Sequence, residues 1–191
     1  MKVITTKTEV YKFKELSEEA KQKAIEKLYD INVDYEWWEN DDYLNEIAKE
    51  DYGIVINMSD ICFELDRGNY LYFETYNHGN KENYEPGIYI NDHKKFFKKA
   101  GLKLNLKNDD YFISIGHTHG EGSYGFNYIS ESMDCELSRE DFSLLEACLK
   151  EFIDFILISL KENYEYLLSE KAIIETIEAN DYEFTIDGKL F

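Results

Sequence analysis

Three residues in one short stretch, His117, His119 and Glu121, have types and spacing that could hold a metal ion. Alternate residues of an extended strand share a face, so two imidazoles and a carboxylate could converge there. No further protein ligand and no general base can be picked out. The surrounding run, Gly116-His117-Thr118-His119-Gly120-Glu121-Gly122, reads equally as a glycine-rich hairpin loop. His78 and His93 stand alone. The chain carries no nucleophile elbow, since Gly122-Ser123-Tyr124-Gly125 lacks the G-x-S-x-G spacing, and it carries no phosphate-binding glycine loop. Asp66 and Arg67 fit a local pair that fixes a turn.

A second constellation points to binding. Between residues 30 and 51, Asp30, Asp34, Glu36, Glu39, Asp41, Asp42, Glu46, Glu50 and Asp51 stand against Lys49 alone. Trp37, Trp38, Tyr35 and Tyr43 lie among them. Tryptophan and tyrosine anchor interfaces, and neighbouring carboxylates engage Arg or Lys of a partner. Asp34, Glu36, Trp37, Trp38, Glu39, Asp41 and Asp42 are therefore the candidate partner-binding residues. Such an array could also enter a nucleic-acid channel as a decoy for phosphates. The competing reading puts both tryptophans in the core and leaves the acids solvated. The local basic run Lys94, Lys95, Lys98, Lys99, Lys103 and Lys107 fits neutralisation of the protein's own acidic surface, or that of a second copy.

The elements that would position these residues can be read from pattern. Residues 3–13 alternate as a strand. Ser17 caps a helix whose inner face is Ala20, Ala24, Ile25 and Leu28. A short helix with Tyr43, Leu44, Ile47 and Ala48 follows and ends at Gly53. Residues 54–65 read as one strand. They turn at Asp66-Arg67-Gly68-Asn69 and return over Tyr70 to Tyr76. Residues 77–87 form a loop, and Asp92 caps a short basic helix that stops at Gly101. Strands are expected at 111–115 and 124–129. Ser138-Arg139-Glu140-Asp141 opens a helix as a capping box. This helix runs to about Leu168 and buries Phe142, Leu145, Leu149, Phe152, Ile153, Ile156 and Leu160. Ser169 caps another helix with Ala172, Ile173, Thr176 and Ile177 on one face, stopping near Asn180. The tail, residues 182–186, is followed by an Asp187-Gly188 turn.

Strands in the middle and helices at the end predict an α+β fold: an antiparallel sheet of about four to six strands packed against N-terminal helices and a long C-terminal helix pair. The expected organisation is one domain over 1–191, mixed helix and sheet to residue 135 and mainly helical from 136. A chain of 191 residues buries about 70% of its unfolded surface and needs no metal or disulfide to fold. Cys62, Cys135 and Cys148 are odd in number and match no metal or redox spacing, which predicts reduced thiols in a cytoplasmic protein.

Net charge is −19, from 40 acids against 21 bases. That argues against phosphate-backbone binding and against anionic membranes, and it favours a basic protein partner. Richness in Lys, Asn, Ile and Tyr fits an AT-rich genome better than a halophile. No signal peptide is expected, and the apolar run from Phe152 to Leu160, broken by Asp154 and Ser159, is too short to span a bilayer. No cofactor is expected, and a homodimer stays open.

Two separated segments carry a resemblance. Tyr11-Lys12-Phe13-Lys14-Glu15-Leu16-Ser17-Glu18-Glu19-Ala20-Lys21 with Asp34-Tyr35-Glu36-Trp37-Trp38 is one. Ile177-Glu178-Ala179-Asn180-Asp181-Tyr182-Glu183-Phe184-Thr185 with Asp187-Gly188-Lys189 is the other, and Phe63-Glu64-Leu65-Asp66-Arg67-Gly68 is a landmark between them. Together they resemble a family of small proteins of tailed bacteriophages and prophages, often labelled antitoxins of toxin–antitoxin stability systems. The resemblance implies one domain and a phage setting, and carries over no catalytic residue. Residues 77–135 contribute least to it.

Two functions follow as expectations. The first is a phage-encoded acidic accessory protein, not an enzyme, that binds and neutralises a bacterial partner in the host cytoplasm. It would be an inhibitor of a nucleic-acid-targeting defence complex or an antitoxin. The second is a small metal-assisted enzyme using His117, His119 and Glu121.

Overall fold

The structure, a computed structural model, describes residues 7–39, 42–56, 58, 61–66, 70–73, 88–102 and 138–191. Helix and strand are mixed, with helix in the majority. The chain divides into two compact units, one of residues 1–37 and 162–191, the other of residues 38–161.

The first unit opens with strand β1 (Tyr11–Lys12), a 3₁₀ turn over Phe13–Glu15 and helix α1 (Glu18–Lys27). The expected strand over 3–13 is cut to two residues within the described chain. Its cause is local: the Lys12 N–H donates to the Glu15 carboxylate at 2.7 Å, which turns the chain into the 3₁₀ segment. Ser17 caps α1 as its spacing predicts, Oγ accepting from the Ala20 N–H at 3.3 Å. Such a cap is worth about 1 kcal/mol.

At the other end of the chain, Ser169 caps α5 (Glu170–Ala179) by accepting from the Ala172 N–H. Asn180 ends it, and Asp181 takes a left-handed conformation at φ 55°. A strand, Glu183–Phe184, follows within the tail. It pairs antiparallel with β1, Tyr11 opposite Phe184. Phe13, Leu16, Ala20, Ala24, Ile25, Ile173, Ile177 and Phe184 form the core of this unit. The Asp187-Gly188 turn is pressed onto α1. A Cβ on Gly188, whose φ is +81°, would lie 2.1 Å from the Ala20 carbonyl oxygen.

The second unit holds α2 (Asp42–Ile47), a π-helical turn over Ala48–Tyr52, and strands β2 (Ile54–Ile56), β3 (Ile61–Glu64), β4 (Tyr70–Phe73) and β5 (Ile88–Ile90). Helix α3 (His93–Lys99) follows. Gly53 ends the π-helical turn in a left-handed conformation at φ +67°. Its carbonyl accepts from the N–H groups of Asn91 and Asp92, both at 2.9 Å. Asp92 caps α3 by accepting from the Lys95 N–H at 2.9 Å.

The expected hairpin is present, β3 against β4 with Ile61 opposite Phe73. The expected single strand over 54–65 is not. It is two strands with different partners, because β2 pairs with β5, Ile54 opposite Ile90. With the last strand of the chain, Glu183–Phe184, numbered β6, the six strands among the described residues form three separate two-stranded ladders, not one sheet of four to six. The strands expected at 111–115 and 124–129 lie outside the described residues.

Helix α4 (Arg139–Leu167) supplies residues to both units. Ser138 and Asp141 form the capping box at its start, with Asp141 N–H to Ser138 Oγ at 3.1 Å and Ser138 N–H to the Asp141 carboxylate at 3.0 Å. It buries Leu145, Leu149, Phe152, Ile153, Ile156 and Leu160, as the period predicts, and Cys148 and Leu157 besides; Phe142 is only half-buried. No described helix is long and apolar enough to cross a membrane.

Candidate functional site

The acidic aromatic segment begins where α1 ends. The chain leaves that helix through successive turns, with Ile31 N–H to the Leu28 carbonyl at 3.1 Å and Val33 N–H to the Asp30 carbonyl at 2.8 Å. Asn32 fixes them. It is the one buried polar side chain among the described residues. Its Nδ2 donates to the Leu167 carbonyl at 3.0 Å, and its Oδ1 accepts from the Thr176 hydroxyl at 2.7 Å. One of the carbonyls that a helix end leaves unpaired is thereby satisfied. Burying an amide with both ends bonded avoids the about 1–3 kcal/mol cost of an orphaned group.

Beyond this anchor the side chains sort by type. In the first unit, the Trp37 ring packs on Tyr164 of α4, ring centroids 5.6 Å apart. In the second, Trp38 meets Phe63 of β3 edge-on at 5.2 Å. Both tryptophans are half-buried. Asp34, Glu36, Glu39 and Asp42 are exposed, and Asp41 lies outside the described residues. Among the described residues no ion pair reaches any of these four carboxylates. Tyr35 and Tyr43 are the aromatic side chains turned out beside them, 58% and 64% exposed. The sequence singles out the tryptophans as the aromatic anchors. The structure puts the tyrosines at the surface instead, a placement that only the distant partners Tyr164 and Phe63 decide.

The basic helix α3 turns part of its charge on its own unit. Lys95 Nζ donates to the Lys49 carbonyl at 3.2 Å and lies 4.0 Å from the Glu50 carboxylate. Lys99 sits over the Tyr52 ring, 4.6 Å from its centroid. The Tyr52 hydroxyl donates to Glu151 at 3.4 Å. Burial, with Glu151 adding to it, pushes the Tyr52 hydroxyl up to about 12 and the Cys148 thiol up to about 11. A thiol held neutral in this way is a poor nucleophile. Cys148 is a free, buried thiol; Cys135 lies outside the described residues.

Among the described residues no three His, Cys, Asp or Glu side chains gather as a metal ion requires. His117, His119 and Glu121 lie outside the described residues, as do His78, Lys103 and Lys107. Comparison with protein-family models, with curated proteins and with solved structures finds no match to this chain.

Proposed function

We propose that this protein is a non-enzymatic, phage-encoded acidic accessory protein. It binds a basic surface of a bacterial protein in the host cytoplasm and neutralises it, as an inhibitor of a nucleic-acid-targeting defence complex or as an antitoxin. Asp34, Glu36, Glu39, Asp41 and Asp42 form part of the binding surface, and Trp37 and Trp38 hold their segment in place.

The observation that carries this reading is the exposure of Asp34, Glu36, Glu39 and Asp42, with no ion pair to them among the described residues, beside two tryptophans packed within their units. Like charges this close repel, and a basic partner relieves that cost. Tyr35 and Tyr43 add ring faces on which an Arg guanidinium can stack. The net charge of −19 supports attraction to a basic surface and works against contact with phosphates.

Affinity capture tests the reading. Host lysate is passed over the immobilised protein and over the variant carrying Glu36→Lys, Glu39→Lys and Asp42→Lys, once the variant's melting curve shows the fold is kept. A basic host protein retained by the first and lost from the second is expected. Equal retention on both removes the segment from the binding surface.

A further inference from the structure

The second unit carries another surface, on the outer side of α4. Leu144, Ala147, Glu151, Phe155 and Ile158 recur at steps of three and four, so they form one stripe along the helix. The stripe lies opposite the face that Leu145, Leu149, Phe152 and Ile156 bury. Leu144 is 43% exposed and Ile158 58% exposed, Ala147 is exposed and Phe155 is half-buried. Exposed Glu140 and Asp154 rim the stripe, and Glu151 lies within it, held by the Tyr52 hydroxyl. No ion pair among the described residues engages these three acids.

We propose that this face docks a basic amphipathic helix of a partner protein. The occupant follows from charge. Apolar side chains interleaved with carboxylates match a helix that carries Leu- or Ile-like residues on one face and Lys or Arg along its edges. A second copy fits badly: an antiparallel copy matching Leu144 with Ile158 sets one Glu151 against the other. An anionic membrane is repelled for the same reason. From Leu144 to Ile158 the stripe runs about 21 Å, the length of a helix of about fourteen residues. The proposal is independent of residues 34–42 and stands or falls separately.

The probe is a fluorescent synthetic helix of about sixteen residues of Leu, Ala and Lys in amphipathic order, with a scrambled peptide of the same composition as control. Anisotropy titration of the full-length protein is expected to show binding at least about tenfold tighter for the amphipathic peptide than for the scrambled one. Leu144→Ser with Ile158→Ser removes that preference, and Glu140→Lys with Asp154→Lys weakens both peptides. The variant reversed at 36, 39 and 42 keeps the preference. Equal affinity for the two peptides, or a preference untouched by the serine substitutions, overturns the proposal. So does a dimer in sedimentation analysis that Ile158→Ser dissolves, since the occupant is then a second copy. If the serine variant melts early, the lysine variant decides: an undiminished affinity there also overturns the proposal.

Discussion

The two ends of the chain and the segment at residues 34–42 are both rich in acids, but they use them differently. At the ends, Lys12 holds Asp181 at 2.9 Å and Glu183 at 3.1 Å, and Lys14 holds Glu178 at 3.0 Å. These pairs join segments far apart in sequence, beside the Phe13 and Phe184 rings that pack 6.1 Å apart. Along α1, Lys21 pairs with Glu18 and Lys23 with Glu19. Asp34, Glu36, Glu39 and Asp42 have no such partner among the described residues. Exposed pairs contribute little to stability individually, but they cancel local repulsion. Where cancellation is missing, the charge is available to something else.

The contrast can be broken or sharpened by substitution. The largest effect is expected at Phe152, which is fully buried in the second unit: Phe152→Ala should cost about 3–5 kcal/mol in denaturant unfolding. Ile158→Ala, on the outer face of the same helix, should cost under about 0.5 kcal/mol. In the first unit, Gly188→Ala combines a left-handed backbone with a collision against the Ala20 carbonyl. It should cost more than the about 1–2 kcal/mol of the backbone alone. Gly101→Ala, at the same φ of +81° with open space around it, should cost only that smaller amount.

Smaller effects come from the exposed pairs. Hydrogen bonding to Lys23 holds the Glu19 carboxyl below its ordinary value, and Glu19 in turn raises Lys23. The Glu19 contribution is present above its unfolded value and is lost as pH falls through the lowered folded one. The Lys23 contribution is present below its unfolded value and is lost as pH rises through the raised folded one. Carboxyl NMR titration should find Glu19 below the usual range, and Lys23→Met should return it there. The smallest effect is expected from reductant. Dithiothreitol should leave the melting temperature unchanged, and Cys148 should resist alkylation in the folded protein.

The local signals were the legible ones. Ser17, Asp92, Ser138 and Ser169 cap helices because each side chain bonds an N–H three residues on, a geometry that sequence spacing encodes. The buried face of α4 was legible for the same reason. What depends on distant partners was not. Strand β5 went unforeseen, and the split of 54–65 follows from it, because Ile54–Ile56 pairs with a strand more than thirty positions away. In the candidate site, the acids could be named from their density. The inward turn of Trp37 and Trp38 stood only as the competing reading, since Tyr164 and Phe63 decide it, and the exposed role of Tyr35 and Tyr43 was hidden.

The central claim, that Asp34 to Asp42 faces a basic partner, is tested most directly by kinetics. The association rate of the captured host protein is measured at low and at high salt, for the native chain and for the variant with Glu36→Lys, Glu39→Lys and Asp42→Lys. Steering by these carboxylates predicts a rate that falls with salt in the native chain, and a variant rate at low salt at least about tenfold slower with little salt dependence left. Identical rates for the two proteins at both salt concentrations would contradict the account and make the acids a solvated face over two anchored tryptophans.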